Sequence, residues 1–399
     1  MNIEENGSRE PVPYVLPPGI ERESWYSSTS SYQLNEQSIQ LQVQNLPAGD
    51  ARAIYKNTDF DFRYFKNLKM FVHAEKLYET DNLNDGDLSL FVRIGTDFTS
   101  NYYEYEVPLK LTPWGTGASD AYAIWPEDNN VIIDLERLVE VKENRNRAIR
   151  SGNTEYTNTM LYSEYVGNRK YTVLGTPNIG SVRVIMVGVR NPRKESLMDG
   201  NNMLPKSVIV WINELRLSDY SSKGGWAATA LARTNLADLG DFSIYGAYTS
   251  AGFGSLSQSF GDLDNVNRTD IEMALNLELG KFLPDNWGLK VPMHFDYSNQ
   301  IGSPEYNPLD PDVLLRNDLN TYETKQQRDS IKAMTQERLS RTNLNFMNVR
   351  KERVAKPSAG GDGKDERHFY DIGKFQLLVR LFGRELAGYR CGILQQNST

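Results

Sequence analysis

The chain has 399 residues, enough for two or three domains, and is rich in Tyr (22) and Phe (15) at a mean hydropathy of only −0.55. A net charge of −8 and a pI near 5.2 argue against nucleic acid as a partner. One cysteine, Cys391, excludes an internal disulfide and a thiolate cluster, and His73, His294 and His368 lack metal-ligand spacing, so no cofactor or metal is expected.

Met1–Glu10 is polar, with neither the basic start nor the apolar run of a signal peptide, so an exported protein would begin upstream of this start, inside a longer polypeptide. Residues 1–18 form a proline-rich extended lead, with Pro11, Pro13, Pro17 and Pro18. From Gly19 to about residue 222 short strands recur at 37–43, 68–75, 88–95, 102–111, 181–189 and 207–217, with turn signals such as Asp85-Gly86 and Asn129-Asn130 between them. That spacing predicts an antiparallel β-sandwich with Leu88, Leu90, Val92 and Ile94 toward its core. One amphipathic helix is expected over 133–150, with Leu135, Leu138 and Val139 on a face and a basic end at Arg145, Arg147 and Arg150.

The pattern changes at Lys223-Gly224-Gly225. Over 225–237 Trp226, Ala228, Ala230, Ala232 and Leu236 share a face, and over 241–250 Phe242, Ile244, Gly246 and Tyr248 do, which makes a first hairpin. A second follows. Ile271, Met273, Leu275, Leu277 and Leu279 alternate with Asp270, Glu272, Ala274, Asn276 and Glu278; after a turn at 281–286, Trp287, Leu289, Val291, Met293, Phe295 and Tyr297 alternate with Gly288, Lys290, Pro292, His294, Asp296 and Ser298. Each run has about the ten residues that a tilted strand needs to cross a bilayer, with aromatics at the ends. A soluble sheet with one wet face alternates in the same way. No run approaches the ~20 apolar residues of a membrane helix, so any crossing must use strands.

Loop length adds a second sign. The turns 238–240 and 281–286 are short and the connections 251–268 and 299–341 long, as in outer-membrane barrels, which would place the sandwich on the extracellular side. The expected reading of 223–298 is two transmembrane hairpins. Trp226, Phe242, Ile244, Ile271, Met273, Leu275, Leu277, Leu279, Trp287, Leu289, Val291, Met293, Phe295 and Tyr297 would face lipid, and Glu272, Asn276, Glu278, Lys290, His294 and Asp296 the lumen. Residues 299–341 would be a long outer loop with a helix at 325–340, and 342–372 a further strand (342–349) followed by the Gly/Asp/Lys-rich 358–365. From 373 to 399 the alternation is lost, since Leu377, Leu378 and Val379 are adjacent.

Catalytic pairs can be sought at Glu104/Glu106 or Glu127/Asp128, but alternate or adjacent carboxylates on strands are usually solvated faces, and no enzyme is expected. Asp81–Asp87 resembles a calcium loop only faintly, with Leu83 and Val92 where ligands are required, and reads as a hairpin turn. Tyr102, Tyr103, Tyr105, Trp114 and Trp125 define the rival class, a cell-surface carbohydrate-binding or adhesion module, although aromatics of this kind usually fill a core.

Several blocks, in order, resemble the SprA/Sov family: PPGIERE at 17–23, GDARAIYKN at 49–57, LKMFVHAE at 68–75, NYYEY at 101–105, WINELR at 211–216, GFGS at 252–255 and YNPLDPD at 306–312. The resemblance runs to about Ile372 and implies the outer-membrane translocon of the type IX secretion system of Bacteroidetes, which also supports gliding motility. Family members are very large single-chain β-barrels, so the chain would be a fragment of one. Cargo proteins with C-terminal signals would pass through the lumen, with plug and shuttle outer-membrane proteins and the lipid bilayer as partners. The expected fold is therefore all-β, a sandwich-like domain (19–222) followed by the first strands of an incomplete transmembrane barrel. The loss of resemblance over 373–399 is the pattern a truncated or frameshifted gene would leave.

Overall fold

Period-two alternation becomes strand pairing along most of the chain. The computed structural model describes residues 2–4, 9–22, 24–26, 31–33, 37–193, 204–220, 224–255, 257–258, 264–352 and 377–387. They form two compact units, Met1–Ser222 with Asp310–Val313, and Lys223–Leu309 with Leu314–Thr399. His368, Cys391 and the stretch 358–365 lie outside the described residues.

The first unit contains β1 (Asn2–Glu4), β2 (Ser24–Tyr26), β3 (Ser31–Gln33), β4 (Ser38–Leu46), β5 (Ala51–Phe60), β6 (Phe65–Lys76), β7 (Ser89–Gly95), β8 (Tyr102–Pro108), α1 (Ala121–Ile124), β9 (Val131–Asp134), α2 (Leu135–Arg150), β10 (Tyr162–Val166), β11 (Arg169–Leu174), β12 (Val182–Arg190) and β13 (Lys206–Tyr220). Two large antiparallel sheets result, ordered β1-β4-β13-β6-β9 and β10-β11-β8-β7-β12-β5, and β2 pairs with β3 apart from them. Their alternating apolar residues meet in one core: Val72, Val208 and Val210 from the first sheet, Leu90, Val92, Tyr105 and Val189 from the second. The core-facing set Leu88, Leu90, Val92 and Ile94 is buried as the alternation required.

Among the elements of this unit that escaped the sequence reading are the strands β5, β9, β10 and β11. They are short or polar-faced strands; β5 shows no buried residue and takes its place from pairing with β12. The helix starts at Leu135, because Ile133 belongs to β9 and the Asp134 carboxylate caps the helix by accepting from the amides of Glu136 and Arg137. Its basic end is only partly a surface, since Arg145 is fully buried and donates to Gly175 O at 2.7 Å. The proline-rich lead belongs to this unit as well, with Val12 and Tyr14 buried against Trp125 and Trp211.

The second unit contains β14 (Ala227–Asn235), β15 (Gly240–Thr249), β16 (Val266–Glu278), β17 (Leu289–Lys290), β18 (Pro292–Pro304), β19 (Tyr306–Asn307), β20 (Asp310–Leu314, of which the first four residues join the first unit), α3 (Leu315–Asn320), α4 (Lys325–Thr335), β21 (Glu337–Lys351) and β22 (Leu377–Ala387). Strands β14, β15, β16, β18, β21 and β22 pair in sequence order, an antiparallel meander, with β17 pairing the end of β21. The sheet is open among the described residues. Gly240, at positive φ, sits where a Cβ would lie 1.8 Å from Asn276 O, so the turn into β15 requires glycine.

Several expectations change here. The helix at 325–340 stops at Thr335, and the strand expected at 342–349 begins at Glu337, because the alternation extends upstream of the residues that carried it. The connection 299–341 is not all loop, as β18 runs to Pro304 and α3 occupies Leu315–Asn320. Residues 377–387, which read as patternless, form β22 on β21: Val379, Leu381 and Gly383 pair with Phe346, Leu344 and Thr342, so period two resumes after the adjacent apolar trio. β21 ends and β22 begins at the end of the sheet that carries the short turns, yet the two are far apart in sequence, so loop length alone does not fix an orientation.

Candidate functional site

The register of the second unit turns alternation along single strands into rows across a sheet. Phe242, Leu275, Phe295, Leu344 and Leu381 are mutual partners on β15, β16, β18, β21 and β22. The rows on either side of it are Ile244-Met273-Tyr297 and Gly240-Leu277-Met293-Phe346. Ile271 pairs with Gly246 and Asn299, where the face turns polar. From Ile271 to Leu277 the apolar positions on β16 span six residues, about 20 Å along a strand at ~3.3 Å per residue. Nothing covers this face among the described residues. Ile244 and Ile271 are more than a third exposed, a Cβ on Gly246 would meet no atom within 4 Å, and no apolar side chain of β14–β18 or β21 is buried.

The opposite face is a hydrogen-bonded lattice. Asn276 Nδ2 donates to Asp241 Oδ2 at 3.0 Å and its Oδ1 contacts His294 Nδ1 at 2.5 Å. His294 Nε2 lies 3.3 Å from Asp296 Oδ1, and Asn343 Nδ2 donates to Asp296 Oδ2 at 2.6 Å. The chain Asp241-Asn276-His294-Asp296-Asn343 thus crosses β15, β16, β18 and β21. Such a face resists strand slippage, since a one-residue shift would put carboxylates among the leucines.

Of the predicted lipid-facing residues, Phe242, Ile244, Ile271, Met273, Leu275, Leu277, Met293, Phe295 and Tyr297 lie on strands in these rows. Trp226 precedes β14 and packs on Tyr248 at 4.6 Å. Leu279 and Trp287 lie in 3-10 turns, Leu289 and Lys290 in β17, and Val291 between β17 and β18. The second run therefore pairs with β16 only from Pro292 onward, because Pro284 and the left-handed Gly288 break it. Of the predicted lumen-facing residues, Asn276, His294 and Asp296 are in the lattice, Glu272 pairs with Ser298, and Glu278 accepts from Val291 N at 2.6 Å.

The first unit holds a buried charge node that the sequence reading missed. Lys142 Nζ donates to Asp310, to Asp312 Oδ1 at 2.7 Å and to Pro177 O at 2.8 Å. Tyr103 Oη donates to Asp312 Oδ2 at 2.6 Å. Burial pushes the Asp310 carboxyl up to about 6, Lys142 opposing the rise and Asp312 adding to it. Burial also raises the Tyr103 phenol far above its ordinary range, with Asp312 reinforcing it. A signal was available: Lys142 follows Leu135, Leu138 and Val139 at helical spacing, so it had to be buried and needed a partner.

The candidate chemistries of the first unit are accounted for structurally. Glu104 and Glu106 are not a solvated pair: Arg190 bridges both, Arg93 pairs with Glu104, and Ser89 donates to Glu106. Burial works against the Glu104 anion, but the two arginines hold its carboxyl below the ordinary range. Asp128 pairs with Lys110, and the Asp87 carboxylate takes the buried Lys206 ammonium at 2.8 Å. Among the described residues no His, Cys, Asp and Glu gather as a metal site. Tyr102, Tyr103, Tyr105 and Trp125 are interior rather than a sugar-stacking platform, and Trp114 Nε1 is tied to Lys76 O at 3.1 Å.

No helix among the described residues is long and apolar enough to cross a membrane, which leaves crossing by strands open. A comparison with curated proteins gives no match. Residues 1–319, most of the chain and all of the sandwich, match the SprA_N family model, described as motility related/secretion protein, and the chain belongs to that family.

Proposed function

We propose that the chain is a portion of the outer-membrane protein-conducting channel of the type IX secretion system, exporting folded cargo proteins with C-terminal signals and supporting gliding motility. It has no catalytic role of its own in this reading. The observation that carries it is the uncovered apolar face of the second unit, aligned by register over five strands and backed by a polar lattice. Lipid on one side and a wet lumen on the other satisfy both faces at once, and an antiparallel meander is the connectivity of transmembrane barrels. Membership of a motility and secretion family supports the same reading.

An open sheet leaves strand edges that lipid cannot satisfy, so further strands must close the barrel around β14–β22. The sandwich joins β14 at the end where β15–β16 and β18–β21 are connected, the extracellular end in this proposal. Plug and shuttle proteins of the outer membrane would be its neighbours. The test is secretion in a host that carries this gene. Leu275→Arg and Leu277→Arg should leave cargo in the periplasm while Asn276→Arg still exports it; undiminished export from both leucine variants would contradict the proposal.

A further inference from the structure

We propose that the face of the sheet β1-β4-β13-β6-β9 turned away from the sandwich core is a groove for an extended peptide anchored by an arginine, and that the chain's own residues 9–15 are its resident ligand. The groove is built from β6, β13 and the segment 112–125. Its floor is the aromatic cluster Trp125, Trp211 and His73, with the His73 ring stacked on Trp211 at 3.9 Å. At one end sits the Glu75 carboxylate, with no solvent exposure.

Residues 9–15 lie in this groove without forming a helix or strand. The Arg9 guanidinium donates to Glu75 Oε1 and lies 5.0 Å over the Trp211 ring, a site that suits a planar, stackable cation better than an ammonium. Val12 and Tyr14 fill the apolar part. The groove also reads the backbone: Trp125 Nε1 donates to Val15 O at 2.8 Å and Gly115 N to Pro11 O at 3.3 Å. Asn213 Nδ2 donates to the Tyr14 hydroxyl at 3.1 Å. Ahead of this, β1 adds to the edge of β4, Ile3 opposite Ile39. Strand addition plus side-chain pockets is the way folded domains capture extended peptides.

Two observations show a seat made for a cation rather than a fortuitous crossing. Among the described residues the ion-pair contacts of Glu75 run to Arg9 and, at 3.8 Å, to His73, so a departing strap leaves a carboxylate among aromatic rings. Glu75 Oε2, His73 Nε2 and Trp211 Nε1 are all buried and carry no hydrogen-bond partner. The apolar cluster beneath the strap is separate from the main sandwich core. The strap can therefore leave by local opening while the two sheets stay packed.

The test starts from folded protein. Gly19 is exposed, with positive φ and open space around it, so a protease recognition sequence inserted between Pro18 and Gly19 is tolerated. After cleavage of the full chain in detergent, a fluorescent peptide of residues 1–18 should exchange into the groove, saturably and one to one. An Arg9→Ala peptide should compete at least tenfold more weakly, with Arg9→Lys between the two. Failure of the peptide to enter the cleaved protein, or equal competition by the Arg9→Ala peptide, would overturn the proposal. In the uncleaved chain Glu75→Gln should speed hydrogen exchange of residues 10–16 at least tenfold and leave β7 and β8 unchanged; unchanged exchange at 10–16 would count against it equally.

Discussion

The two units use the same alternation to opposite ends. In the sandwich, Val72, Leu90 and Val208 on successive apolar positions are buried by the facing sheet. In the second unit, Leu275, Leu277, Met293 and Phe295 hold equivalent positions in a better-aligned sheet and remain uncovered, while the buried residues of β18 and β21 are Asn299, Asn343 and Asn345. In the proposed reading one unit is folded against water and the other against hydrocarbon. Strand pairing is common to both, and what differs is whether a second sheet covers the apolar face.

The comparison breaks most visibly at a core leucine. Leu90→Ala should cost the first unit about 2–5 kcal/mol in denaturant unfolding, the price of a cavity between two packed sheets. Leu277→Ala loses only cross-strand contacts on an uncovered face, about 0.2–1 kcal/mol. Equal costs would mean that something covers the second sheet.

A similarly large effect is expected at the charge node. Lys142→Ala strands Asp310 and Asp312 in the interior and should cost about 3–5 kcal/mol, most of it recovered when both aspartates are also changed to Asn. By the same reasoning residues 1–222 alone should be destabilised by about as much, since Val313 and the two carboxylates that hold Lys142 are missing, and a peptide spanning 306–316 should restore the melting temperature.

Arg at Leu277 should destabilise the sheet in bilayers by about 2–4 kcal/mol if the position is near the midplane, and Arg at Asn276 far less. The smallest expected effect is a slope. The folded Asp310 carboxyl titrates near 6, above the ordinary 3.8, so the folded state binds the extra proton between those values. Stability linked to Asp310 is thus full below about pH 4 and lost as pH rises through about 6. Asp310→Asn should flatten that part of the stability profile, and an unchanged profile would assign the slope elsewhere.

Much of this was legible because strands write their two faces directly into odd and even positions. The six sandwich strands read from the sequence are all present, and so are the hairpins that begin at Trp226 and Ile271. What escaped was whatever depends on distant partners. β5 is a strand because β12 offers it an edge, and most of its own residues stay exposed. β22 was hidden by one misplaced pair of leucines. Asp310–Val313 sits inside a turn-rich stretch and carries no local mark of belonging to a core some 170 residues upstream; only Lys142 on an apolar helix face pointed to a missing counter-charge.

The central claim, that the apolar face of the second unit meets hydrocarbon, is tested most directly by accessibility in the membrane. With Cys391 replaced by Ser, single cysteines at 275, 276, 277 and 294 are labelled in vesicles or intact envelopes. Positions 276 and 294, on the lattice face, should react with a water-soluble maleimide and resist a lipid-soluble one, and 275 and 277 should do the reverse. Equal labelling of both faces by the aqueous reagent would contradict the account.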